Sequence, residues 1–111
     1  ALVTLNDPAF VEMAQALGRR IVREGGADVA GRIGFGLRLC LARPSTNEQV
    51  QALAALYEDE LAKYRADVDA AKKLSTDPLG PLPSGLDASE AAAWTVVANV
   101  LLNLDAVLTK G

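Results

Sequence analysis

Two acidic clusters, one thiol, a few hydroxyls and a row of amides are the side chains whose type and spacing could support chemistry. Glu58, Asp59 and Glu60 stand together in YEDEL, and Asp67 and Asp69 follow shortly after. General acid–base catalysis needs groups that converge on one substrate atom and whose surroundings push their pKa values apart. Successive residues on a helix point about 100° away from one another, so these carboxylates fan out and read as a solvated acidic face. The chain has no histidine, so Ser75, Ser84 and Cys40 lack the imidazole that ordinarily activates such nucleophiles. Ordinary zinc and haem ligand sets are missing for the same reason. Cys40 lies among leucines in LRLCLAR. It reads as a small core hydrophobe, and as the single cysteine it excludes an internal disulfide. We therefore expect no catalytic residue, no metal site and no cofactor in this segment.

The sharper pattern lies near the end of the chain. Thr95, Asn99 and Asn103 recur at steps of four, which puts them on one helix face inside the apolar run AAAWTVVANVLLNLDAVL. Amides placed this way either meet a ligand or satisfy the backbone of a neighbouring helix end or loop. Trp94 opens the same helix; it fills a core, or stacks on a sugar if exposed. Trp94, Thr95, Asn99 and Asn103 are thus the candidate ligand or partner contacts. Charge narrows the partner classes: 11 Lys and Arg against 14 Asp and Glu give −3, which argues against nucleic acid. Every arginine except Arg65 falls between Arg19 and Arg43. That bias reads as a solvated helix face, with an anion site as the weaker alternative.

Four helices are predicted to position these residues, over about 7–24, 28–42, 46–74 and 88–108. The first starts at LNDPAF, where Asn6 or Asp7 can cap and Pro8 suits the first turn. Its expected apolar stripe is Phe10, Met13, Ala14, Leu17 and Ile21, opposite Glu12, Gln15, Arg19 and Arg23. The second carries Ile33, Leu37 and Leu41 on one face, and Gly31, Gly34 and Gly36 imply close approach of a neighbouring backbone. Their order, with no preceding strand pattern, does not match a dinucleotide-binding fingerprint. Arg43–Pro44 ends that helix, and Thr46 with Gln49 fits a capping box for the third. In the third, Val50, Leu53, Ala54, Tyr57, Leu61, Tyr64 and Val68 form the stripe, and Asp59 with Lys63 and Asp69 with Lys73 are acid-to-base pairs.

Residues 75–87 hold three prolines and two glycines, so a long irregular loop is expected there. Leu79, Leu82 and Leu86 would pin it to the helices. Asp87 with Glu90 caps the last helix, whose apolar circumference demands a cover. That run approaches bilayer length, but Asn99, Asn103 and Asp105 inside it favour a buried helix of a soluble domain over a membrane span. The chain opens ALVTLND, without methionine or a charged-then-apolar leader. It reads as a piece of a longer protein. The expected fold is one all-α domain over 1–111, a four-helix, mostly antiparallel bundle with the Pro/Gly loop before its last helix.

TLNDPAFVEMAQALGRRI, RIGFGLRLCLARPSTNEQV and AAWTVVANVLLNLDAVLTK together resemble the C-terminal domain of unknown function of large planctomycete-type proteins that also carry a cytochrome-c-like segment. The resemblance spans almost the whole chain, with LNDPAF and AWTVVANVLLNLD its most specific pieces. Gly34 and Gly36 depart from a pattern richer in helix formers. The resemblance supplies no catalytic residues. It implies a secreted or periplasmic multidomain parent in which other segments hold any haem, with this module at the end. The expected function is then a non-catalytic structural or interaction module whose partner is the upstream domain of the same parent. One alternative is an accessory domain binding carbohydrate or another polymer through exposed Trp94, Tyr57 or Tyr64 with Asn99 or Asn103. A second is one wall of a catalytic or electron-transfer site completed by the upstream chain. The sequence does not fix an oligomeric state.

Overall fold

The computed structural model describes residues 7–110 apart from Ala42; for 105–110 it describes the backbone alone. Five helices are present: α1 Pro8–Glu24, α2 Val29–Cys40, α3 Asn47–Arg65, α4 Val68–Thr76 and α5 Ala88–Lys110. No strand occurs among the described residues. The helices start where a side chain supplies a partner for the orphan amides of the first turn. Asp7 accepts from Ala9 N at 3.0 Å, with Pro8 in the first turn. Asp28 accepts from Gly31 N at 2.7 Å. Thr46 and Gln49 form the reciprocal capping box, at 3.1 and 2.9 Å. Asp87 accepts from Glu90 N at 3.0 Å.

The third expected helix is two. Ala66 N still reaches Ala62 O, but Asp67 N turns back to Tyr64 O, at 3.2 Å each. The Asp67 carboxylate then accepts from Ala70 N at 3.1 Å, capping α4. An aspartate that binds its own downstream backbone competes with helix continuation, and here it wins. Val68, expected on the buried stripe, is 49% exposed as a result. The expected pairing of Asp59 with Lys63 also gives way: Lys63 lies 3.9 Å from Glu60 instead. α4 runs through Thr76, slightly into the stretch expected to be irregular, while α2 ends at Cys40.

α5 packs against each of the other four helices. Ala93, Trp94, Val97 and Leu101 of α5 meet Ile21, Ile33, Leu37, Leu41, Leu53, Tyr57 and Leu61 in one buried cluster. Ala92 meets Tyr64 and Ala71 in a second. The chain itself therefore covers the apolar run up to Leu101, and Leu102 and Leu104 beyond it are half-buried. α3 runs against α5, since Tyr57 stacks on Trp94 while Tyr64 O, further along α3, accepts from Ser89 Oγ. α1 runs with α5: Gly18 lies on Trp94 and Thr95, and Ile21 approaches Leu101 at Gly36. The central pair is thus parallel, which departs from the mostly antiparallel bundle expected.

Close approach explains three glycines. A Cβ on Gly18 would lie 3.2 Å from Trp94 C and O, so its absence lets two helix backbones touch. On Gly36 a Cβ would meet Leu101 Cδ1 at 2.7 Å and Ile21 Cδ1 at 3.0 Å. The close approach expected along α2 thus holds at Gly36, where side chains make it, and at Gly31, where a Cβ would lie 3.3 Å from the backbone oxygen of Gly25 and 2.6 Å from the capping carboxylate of Asp28. Gly34 faces only Arg38 of α2 itself.

Candidate functional site

Trp94 and Thr95 of the row singled out from sequence are turned inward, while Asn99 and Asn103 are half-buried. Trp94 is fully buried, with the Tyr57 ring 4.3 Å away centroid to centroid and the Arg32 guanidinium 5.9 Å from the indole. Thr95 is buried and donates to Ala91 O at 2.8 Å. Asn103 Nδ2 donates to Asn99 O at 2.8 Å. These bonds run one turn back along α5 itself, a local arrangement open to Thr and Asn in packed helices. Asn99 Oδ1 is buried without a hydrogen-bond partner, as is Trp94 Nε1. Thr95, Asn99 and Asn103 share a face as expected, and that face passes from buried at Thr95 to half-buried at Asn99 and Asn103. Tyr57 and Tyr64 are buried as well, at 4% and 9% exposure. The rings on which a sugar would stack are thus withdrawn from solvent, which counts against the carbohydrate alternative.

α1 departs from its expected pattern in a way that builds a different site. Met13, assigned to the buried stripe, is 50% exposed, whereas Gln15, assigned to the solvent face, is 1% exposed. Gln15 Nε2 donates to Leu74 O at 2.5 Å and Asp77 O at 2.7 Å, and its Oε1 accepts from Leu79 N at 3.1 Å. One turn on, Arg19 donates to Ser75 O at 2.9 Å, Gly80 O at 2.5 Å and Pro81 O at 3.1 Å. Two α1 side chains thereby satisfy the backbone at the end of α4 and in the following turn, where the prolines prevent a regular ladder. Burial pulls the Arg19 pKa down from its ordinary value; the carbonyls around it favour the charged guanidinium. The loop is pinned as expected, through Gln15 and Arg19 as well as its half-buried leucines.

Beside this clasp lies a groove of about 450 Å³, lined by Pro8 and Val11 of α1, Tyr64 of α3, Ala70, Lys73 and Leu74 of α4, and Asp77 and Pro78. The break at Asp67 is what turns α4 against α1 to form it. Most of the lining is hydrocarbon or aromatic carbon; the charges are those of Lys73 and Asp77. Burial raises the Tyr64 pKa, with smaller contributions from Glu60 and Asp67. Burial likewise raises that of Tyr57, assisted by Glu90 and Glu58. Tyr64 therefore presents a neutral phenol at pH 7. The groove can take up an apolar group, but it offers no converging acid and base.

Among the described residues, no group of three His, Cys, Asp or Glu side chains could hold a metal ion. No helix among them is long and apolar enough to cross a membrane. No protein-family model, curated protein or solved structure matches the chain.

The groove residues carry little local signal. Tyr64 reads as core and Lys73 as an exposed ion-pair member, and only the packing of α4 on α1 brings them together. Gln15 reads as one more member of the polar face of α1, because its partners lie 59 or more residues away.

Proposed function

We propose that this chain is a non-catalytic docking module of a larger extracytoplasmic protein, joined to the upstream part of its parent. The observation that carries this reading is the groove between α1 and α4, apolar along its walls and charged at Lys73 and Asp77. Surfaces of this kind bury an apolar partner group, whereas a reactive site needs positioned acids, bases or nucleophiles. The resemblance of LNDPAF and AWTVVANVLLNLD to a terminal domain of multidomain proteins supports the same reading, and implies that any haem belongs to other segments. Buried Trp94 and Tyr57 weigh against sugar binding as the main task.

Calorimetric titration of this domain with the separately produced remainder of its parent tests the reading, at a salt concentration that suppresses non-specific charge pairing. Saturable binding with a negative heat-capacity change is expected. Absence of binding overturns it, and a glycan screen then becomes the next experiment.

A further inference from the structure

We infer that residues 67–86, helix α4 with the turn after it, form a strap that swings open as one unit while the rest of the bundle stays folded, uncovering Val11, Tyr64 and Ala92. The division of the core is the first ground. The main buried cluster is built from α1, α2, α3 and α5 with Leu41, and neither its buried members nor the partly buried residues packed on it include any residue between 62 and 92. Lifting the strap leaves that cluster whole. What α4 covers is the smaller cluster of Tyr64, Ala71 and Ala92, with Ala70, Leu74, Ala88 and Val96 at its edge. Four of these seven are alanines, whose burial returns much less hydrophobic stabilisation than the tryptophan, isoleucine and leucine side chains of the main cluster.

Burial along the strap points the same way: from residue 66 to 87 only Ala71 and Ser75 are buried. Its fastening is polar. Gln15 holds Leu74 O, Asp77 O and Leu79 N, and Arg19 holds Ser75 O, Gly80 O and Pro81 O. Water replaces these partners once the strap lifts, so each bond contributes only its small net value against opening. Both ends can turn. At Asp67 the helix ladder is already interrupted, and at Gly85 φ is +86° with nothing within 4 Å of a Cβ position; such residues absorb backbone rotation without disturbing packing. Segments with few buried apolar contacts open below the free energy of global unfolding. The strap meets that description and α5 does not. The open form presents Val11, Tyr64 and Ala92 beside the released Gln15 amide and Arg19 guanidinium, a face that the closed form withholds.

Native-state hydrogen exchange through a urea series tests this on the unaltered chain. The α4 amides from Ala71 to Thr76 should share one opening reaction, exchange about 100-fold faster than Val97, and respond less steeply to urea. Ile33→Val, in the main cluster, should speed exchange at Val97 by about two- to tenfold and leave the α4 amides unchanged, because the open-strap form keeps that cluster intact. Thiol labelling reads the uncovered face directly. In a Cys40→Ala background, Ala92→Cys should label about 100-fold faster than Ala93→Cys, whose side chain belongs to the main cluster. If either cysteine variant does not fold, exchange on the native chain decides. The inference is overturned by α4 amides that exchange no faster than Val97, that follow it in Ile33→Val, or that spread over rates rising towards the helix ends. Labelling of Ala92→Cys no faster than that of Ala93→Cys overturns it as well.

Discussion

Trp94 and Gln15 are both sealed from solvent, yet their neighbours hold them by different forces. Around Trp94 the contacts are mainly apolar: the Tyr57 ring packs tilted against it within the core cluster, the Arg32 guanidinium lies 5.9 Å over the indole, and Nε1 has no hydrogen-bond partner. Around Gln15 the contacts are polar, since its amide meets two carbonyls and one N–H of the α4 end and the turn that follows. The first region can leave a donor unmatched because a large ring brings far more dispersion and hydrophobic stabilisation than one hydrogen bond. The second has no such reserve, because prolines and glycines make its backbone depend on side chains for partners. Apolar packing should therefore govern global stability, and the clasp the local order of the groove wall.

The largest test of this contrast is Trp94→Ala, which should destabilise the fold by about 3–5 kcal/mol in urea unfolding. Gln15→Leu comes next. It leaves two part-buried carbonyls and one amide without their side-chain partner for a loss of about 1–3 kcal/mol, and should speed hydrogen exchange at Leu79 while that at Val97 keeps pace with global unfolding alone. If Gln15→Leu loosens both sites equally, the two regions are one cooperative unit and the contrast fails. Gly18→Ala should cost about 1–3 kcal/mol, because its Cβ meets backbone atoms of Trp94 that cannot swing aside. Gly36→Ala should cost less. Its neighbours are the side-chain ends of Leu101 and Ile21, and alanine returns about 1 kcal/mol of helix propensity. Thermal unfolding of the two variants checks the order.

The smallest effect is alkaline. Burial raises the pKa values of Tyr57 in the core and Tyr64 in the groove above 10.0. Unfolded tyrosines ionise near pH 10 while the folded ones resist, so this contribution is complete below that pH and is lost as pH rises through the folded values. The melting temperature should hold from neutral pH to about 10 and then fall. Tyr64→Phe should remove the groove's share of that fall and leave the share of Tyr57.

Helix starts were legible because capping is local. Asp7 with Pro8, Thr46 with Gln49, and Asp87 with Glu90 each place cap and helix within a few residues. The break at Asp67 was harder, since the same stretch also reads as a continuous helix with Asp69 and Lys73 paired on its surface. A cap and a surface acid are the same residue type, and the packing of α4 on α1 and α5 selects between them. The role of Gln15 was not legible, because its partners lie 59 or more residues away in sequence. The candidate row at Trp94, Thr95, Asn99 and Asn103 was correctly placed on one helix, but spacing within a helix does not say which side its neighbours will cover.

Composition and apolar periodicity by themselves determined an all-helical chain whose last helix must be buried, since these properties act through local backbone preference and burial of one stripe. Only the tertiary structure decided that α1 and α5 run in the same direction across Gly18, and that α3 and α4 part at Asp67. It also decided that an apolar groove opens where Gln15 fastens the following turn. Each of these depends on contacts between residues far apart in the chain, whose energies exceed the small local preferences that a sequence displays.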